Sequence, residues 1–315
     1  MFKVDIFSGN NVRPFIRLST LRQVLVPFIL LCLWVPAQAT ENKPVKWSDC
    51  DPGGIQTLPV PDPVSKRNYN VTISLPSSYD PDTSTRYPIV YLADGDRGIR
   101  PVACQIKALR EKGALSEEPI IVGLSYAMGE NMNVSRKRDY TPVPRKHGDT
   151  AYGGAMAYQR YLHRTVIPFV EGRYRVNPDR RIFLGHSYGG LLGARILLTK
   201  PELFHTYILG SPSIWFANHA ILAFESDYAK AHKDLKANVL LFVGGDEVSR
   251  FDPDRPGNTQ DMVGDMKSFQ SRLEQRGFPS LTVYSRILPG KNHRQAFPPG
   301  LAWAITAVLG RTTLR

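Results

Sequence analysis

The 315-residue chain reads as an α/β protein, a mostly parallel central sheet with helices on both faces. Three observations carry this. Short strand-like runs alternate with segments of helical spacing along most of the chain. Runs such as Pro88-Ile-Val-Tyr-Leu-Ala93 and Ile120-Ile121-Val122 are apolar at successive positions, as strands buried on both faces are. The run Ile182-Phe183-Leu184 leads straight into Gly185-His186-Ser187-Tyr188-Gly189, and helical spacing resumes over Leu191 to Lys200.

The first 39 residues stand apart. Arg13, Arg17 and Arg22 precede an apolar stretch from Val24 to Val35, and Ala37-Gln38-Ala39 follows. A basic region, a short apolar core and Ala-x-Ala make a secretory signal peptide. As a membrane anchor the run is too short, since a span needs about 20 apolar residues. Cleavage after Ala39 removes Cys32 and leaves Cys50 and Cys104, an even number that suits one disulfide in an exported chain. Net charge is +12, and the leader carries Lys3, Arg13, Arg17 and Arg22 against Asp5, which leaves +9. A basic surface could draw in acidic or catecholate substrates or an anionic envelope surface, although solubility alone accounts for it. No interleaving of arginine and aromatic residues points to nucleic acid. No CxxC and no Cys/His spacing points to zinc.

Residues 40–68 are polar and rich in Pro and Gly, and read as an exposed N-terminal segment before a single domain over 69–315. Within that domain, Tyr69 to Leu75 alternates as a strand. The buried strand Pro88 to Asp94 follows, then a helix over Val102 to Lys112 and a strand over Pro119 to Tyr126. Ala127 to Thr150 reads as a long basic loop. Ala155 to Tyr174 reads as a helix, with Tyr158, Leu162, Val166 and Phe169 on one face. After the Ser187 segment come a strand over Tyr207 to Leu209, a helix over Ile214 to His232 and a strand over Asn238 to Val243. A loop over Phe251 to Asn258, a helix over Asp261 to Arg276, a strand over Leu281 to Leu288 and a helix over Leu301 to Leu309 complete the chain.

Gly-x-Ser-x-Gly between a strand and a helix is the elbow of an α/β-hydrolase fold, in which a sharp turn exposes the serine hydroxyl. A serine is a poor nucleophile until a base takes its proton, so Ser187 implies two partners, in the order Ser, acid, His. Of the seven histidines, one lies after the last strand: His293, in Pro289-Gly-Lys-Asn-His293. His186 adjoins the serine, with a side chain expected to point away from it. His163 and His147 read as structural or solvent-facing. The acid belongs after the strand Asn238 to Val243, where Asp246 and Glu247 stand side by side, with Asp252 and Asp254 further on. Its task is to hold the imidazole in the right tautomer and stabilise the imidazolium. Glu247 is preferred to Asp246. Two N–H donors are needed for the oxyanion: the backbone of Tyr188, and that of Asp96 in Asp94-Gly95-Asp96.

Several segments resemble the esterase D-like family. They are Lys66 to Pro76, Tyr87 to Gly95, Arg138-Asp-Tyr-Thr-Pro142, Gly153-Gly-Ala155, Phe183 to Gly190 and Ser211-Pro-Ser-Ile-Trp215, so the likeness runs from Tyr69 to the C-terminus. It is nearest to exported siderophore esterases of the Gram-negative envelope, which open catecholate trilactones. The resemblance implies nucleophile Ser187, histidine His293 and an acid at the fourth place of Gly244-Gly-Asp-Glu247. Some of these esterases work with a Ser–His pair alone, which leaves the acid open. Arg138 could bind an anionic substrate group or pair with Asp139. Tyr140 and Trp215 could wall an aromatic pocket or belong to the core. The reading is an exported serine esterase, periplasmic or secreted, acting on a small-molecule ester without metal or organic cofactor and without membrane insertion once the leader is removed. An acyltransferase, or an acetyl or feruloyl esterase acting on carbohydrate, shares the fold. The alternative of another class is a non-catalytic envelope binding protein.

Overall fold

The computed structural model describes residues 50–145, 152–249 and 260–311, so the leader and the loop read over Phe251 to Asn258 lie outside the described residues. Eight strands form one sheet among them: β1 (Ile55–Pro59), β2 (Asn70–Ser74), β3 (Tyr87–Leu92), β4 (Ile120–Leu124), β5 (Val176–His186), β6 (Thr206–Gly210), β7 (Ala237–Gly244) and β8 (Leu281–Leu288). Their order is β1-β2-β4-β3-β5-β6-β7-β8. β2 pairs antiparallel with β1 and β4, and all the other pairings are parallel.

β3, β4 and β6 are buried at every position, because apolar layers cover both faces of the sheet. Tyr91, Val122, Phe183 and Leu209 point into one layer. Val90, Ile121, Leu184 and Ile208 point into the other. Each side chain of this kind stabilises by about 1.5–3 kcal/mol when fully buried, and the strict period of two fixes the register. The helices α1 (Gly95–Glu111) and α9 (Phe297–Leu309) supply Ile99, Val102, Leu301 and Ile305 to the second layer. The first layer takes Leu191 and Leu192 from α5 (Tyr188–Leu197) and Met266 and Phe269 from α8 (Met262–Gln275). Cys50 and Cys104 form the expected disulfide, which ties the start of the described chain to α1.

Five elements differ from expectation. β1 lies within the stretch read as an exposed segment; no position in it is buried, so its sequence lacks an apolar face. α1 begins at Gly95, ahead of Pro101, which the ring would lead one to place at a helix start. The basic loop contains α2 (Met132–Tyr140), started by Asn131, whose side chain accepts hydrogen bonds from the N–H groups of Asn133 and Val134 at 2.9 and 3.4 Å. The helix expected over Ala155 to Tyr174 runs as α3 (Ala155–Tyr161), a π turn (Leu162–Val166) and α4 (Ile167–Glu171). Pro168 lacks an N–H and its ring would crowd the preceding turn, and the wider π turn relieves this. Lastly, the helix expected over Ile214 to His232 is broken into α6 (Phe216–His219) and α7 (Ile221–Ala231) by a left-handed turn.

Candidate active site

The residues singled out by sequence lie beyond the carboxyl ends of the parallel strands, where such sheets place their sites. Ser187 follows β5 with φ 61° and ψ −119°, a strained conformation for a residue with a side chain. The turn demands glycine on both sides: a Cβ on Gly185 would lie 2.3 Å from the carbonyl carbon of Gly189. Ser187 N–H donates to Gly210 O at 2.9 Å, which locks the elbow to the end of β6. The hydroxyl lies 3.4 Å from that of Ser213.

Glu247 is fully buried. Its Oε1 accepts from Ser211 Oγ at 2.6 Å and from Gly244 N–H at 2.8 Å, and its Oε2 lies 2.6 Å from His293 Nδ1. The loops after β7 and β8 are zipped together to hold this contact. Gly245 N–H donates to Leu288 O at 2.8 Å and Asp246 N–H to Lys291 O at 3.1 Å. A Cβ on Gly244 would lie 2.1 Å from Lys291 O, so no other residue permits the approach. Asp246 is half-buried and takes part in the zipper through its backbone; the carboxylate beside the imidazole is that of Glu247. His186 packs its ring against His293, centroids 4.5 Å apart, and against Phe297. His163 lies in the π turn after α3, and burial holds it below the usual histidine range. His147, Asp252 and Asp254 lie outside the described residues.

Tyr188 and Asp96 both sit in the first turn of a helix, α5 and α1, where N–H groups have no intrahelical acceptor. Asp94, the cap position of α1, does not cap it. Its carboxylate accepts instead from Tyr126 OH at 2.6 Å and from Arg136 Nε and Nη2 at 2.6 and 2.8 Å. Arg136 Nη2 also donates to His186 O at 3.2 Å, and the guanidinium lies 5.4 Å from the centre of the Tyr188 ring. Burial would lower the pKa of Arg136, but the Asp94 carboxylate outweighs it and the group is held above its ordinary value. A fixed Arg136–Asp94 ion pair thus stands beside the elbow. Sequence reasoning missed Arg136.

Arg138, nominated for substrate binding, is corrected to the alternative pairing. It is buried, its Nε and Nη2 donate to Asp139 at 2.8 and 2.9 Å, and it also reaches Glu130 and Tyr69 OH. Those bonds leave the guanidinium committed to the core. Tyr140 is buried too, and its hydroxyl accepts from Asp94 N–H at 2.9 Å. Trp215 is partly exposed and faces Tyr188, ring centres 6.0 Å apart. Phe216 and Tyr152 continue this aromatic wall at 5.7 Å from one another. Arg145 lies 5.8 Å from the Tyr152 ring centre and Lys137 6.0 Å, so the wall carries cations over its faces. Among the described residues, no group of three His, Cys, Asp or Glu side chains could hold a metal ion, and no helix is long and apolar enough to cross a membrane.

A serine on a strand-to-helix elbow, with a carboxylate after β7 and a histidine after β8 at the same end of a mostly parallel sheet, is the arrangement of an α/β-hydrolase fold. The chain matches the family described as "Putative esterase" over residues 63–306, and belongs to it. It is 32% identical over 191 residues to the ferri-bacillibactin esterase BesA of Bacillus subtilis, a match covering 56% of this chain and 65% of that protein. It is also 32% identical over 186 residues to the siderophore triacetylfusarinine C esterase of Aspergillus fumigatus, covering 54% and 62%. The chain therefore spans just under two thirds of the length of these relatives. Among solved structures, the BES protein of Bacillus cereus superposes with a TM-score of 0.68 at 24% identity, over 81% of this chain and 96% of that one.

Proposed function

We propose that the protein is an exported serine esterase that hydrolyses siderophore esters. The observation that carries this reading is the Glu247–His293 contact on the same sheet edge as the Ser187 elbow. With its Nδ1 proton donated to Glu247, the imidazole presents Nε2 as a base. Ser187 Oγ turns from Ser213, gives its proton to Nε2 and attacks the ester carbonyl carbon. The Tyr188 and Asp96 N–H groups stabilise the oxyanion, and Arg136, bonded to Asp94 and to His186 O, holds the two loops that carry them. The intermediate collapses, and the alcohol leaves with the proton from His293. Water, deprotonated by His293, then hydrolyses the acyl-enzyme to free acid and Ser187.

The substrate class rests on two relatives named as siderophore esterases and on the partly exposed rings of Trp215 and Tyr152 with Arg145 and Lys137 beside Tyr152, which suit an anionic aromatic group. Export rests on the leader pattern and the Cys50–Cys104 bridge. The test is mass spectrometry of products from a catecholate trilactone and from p-nitrophenyl acetate. Ring-opened trilactone should appear with the wild type and vanish with Ser187→Ala at unchanged Tm. Turnover by Ser187→Ala would place the nucleophile elsewhere, and binding without turnover by the wild type would make the protein a binding module.

A further inference from the structure

The segment from Ser211 to His219 touches three of the groups assigned above, Glu247, Ser187 and Tyr188. Ser211 donates to Glu247, Ser213 N–H donates to Ser187 O at 3.2 Å, and Trp215 and Phe216 lie against the Tyr188 ring. It is also the most strained stretch of described backbone. Ser211, Ala217, Asn218 and His219 all have positive φ, at 38°, 48°, 54° and 61°, and none is glycine. Ala217 to His219 make one turn of left-handed helix, closed by His219 N–H to Trp215 O at 3.4 Å and Ala220 N–H to Phe216 O at 3.2 Å. L-residues disfavour this conformation at each position and occupy it in succession only where the surroundings impose it.

The buried Phe216 and Ile221 flank the turn, and one side-chain contact fastens its end. His219 Nε2 lies 2.7 Å from Asp265 Oδ1, and Asp265 belongs to α8. The start of α8 is itself anchored to the acid loop, since Met262 N–H donates to Glu247 O at 2.9 Å. The pair therefore fastens the turn to the segment that carries Glu247. Without it, the three residues can relax toward negative φ, and the half-exposed Trp215 just before the turn is free to shift while Phe216 stays buried.

Resting on the esterase reading above, we infer that His219 and Asp265 are positioning residues for substrate selection: they hold a strained left-handed turn that sets the half-exposed Trp215 against Tyr188, backed by the buried Phe216, and so favour esters whose acyl group carries an aromatic ring. They touch neither Ser187 nor His293, so a small acyl group, which does not need the wall, is nearly indifferent to them.

The test compares p-nitrophenyl benzoate with p-nitrophenyl acetate for wild type, His219→Ala, Asp265→Ala, Asn218→Gly and the double variant Asn218→Gly/His219→Ala. Losing a ring contact of this kind should raise KM for the benzoate about five- to tenfold in His219→Ala and Asp265→Ala. The acetate should change less than about twofold. Glycine takes positive φ freely, so the double variant should regain most of the lost KM. The near-UV circular dichroism of the aromatic wall, which needs no activity, should change and recover in step. Equal losses on both esters would mean a merely structural role and overturn the inference. So would an unchanged benzoate KM, or failure of Asn218→Gly to rescue. If the wild type cleaves neither ester, the esterase reading fails by itself, and the dichroism still reports whether the pair holds the turn.

Discussion

Glu247→Gln has a consequence that the geometry fixes closely. The two carboxylate oxygens have separate tasks. Oε1 accepts from Gly244 N–H at 2.8 Å and from Ser211 Oγ at 2.6 Å, while Oε2 faces His293 Nδ1 at 2.6 Å. A glutamine has one acceptor oxygen and one NH2. The Gly244 N–H cannot become an acceptor, so the amide oxygen must stay there. The NH2 is then turned to Nδ1, which must accept, and the ring proton moves to Nε2. That tautomer cannot take a proton from Ser187. We expect kcat to fall by about 10³–10⁴, or about 4–5.5 kcal/mol of barrier, with the fold retained. Steady-state hydrolysis of p-nitrophenyl acetate measures the loss, and ¹⁵N NMR of the His293 ring reads the tautomer. Asp246→Asn should change kcat by less than about threefold, because Asp246 contributes its backbone to the zipper. Near-normal kcat in Glu247→Gln with the Nδ1–H tautomer retained would refute the reasoning. Near-normal kcat in both single variants and the double would leave a Ser187–His293 dyad, with a backbone carbonyl or water holding the ring.

Two other perturbations act on the same site and on the bridge. Arg136→Lys keeps the charge but cannot make the paired bonds to Asp94 while reaching His186 O; kcat should drop about 10²-fold with little change in Tm, and an unchanged kcat would remove Arg136 from the oxyanion environment. Replacing Cys50 and Cys104 by serine opens a loop of sequence separation 54 and should destabilise by about 2–4 kcal/mol in urea melts; free-thiol titration of the unreduced, denatured wild type should find neither cysteine, and finding both would rule the bridge out.

The parts of the fold legible in sequence are those encoded locally. β3, β4 and β6 are apolar at nearly every position because both faces are covered, and the elbow is a short motif whose first glycine is dictated by a contact within it and whose second is crowded by the end of β3. The order of Ser187, Glu247 and His293 follows from which strand each one ends. The left-handed turn at Ala217 to His219 was hidden for the opposite reason. Its residues carry no glycine signal, and the contact that fastens it is made with Asp265, which lies 46 residues away from His219.

The two arginines show how a missed element misplaces chemistry. Arg138 drew notice through its adjoining Asp139, and Arg136 looked like one cation among several in a loop. Once Asn131 caps a helix there, the period of 3.6 separates them: positions i and i+2 point to nearly opposite sides. Arg136 falls on the face of Tyr140, four residues on, with its guanidinium 5.8 Å from that ring; both meet Asp94, one through the carboxylate and one through the N–H. Arg138 falls on the face of Ser135, three residues back, with Asp139 and Tyr69 behind it. One face of α2 is therefore spent on the core and the other on the loop that precedes α1. The sequence Met132 to Tyr140 is too polar for periodicity to declare a helix, so the Asn131 cap was the available signal, and with it the face turned to the elbow could have been assigned to Arg136.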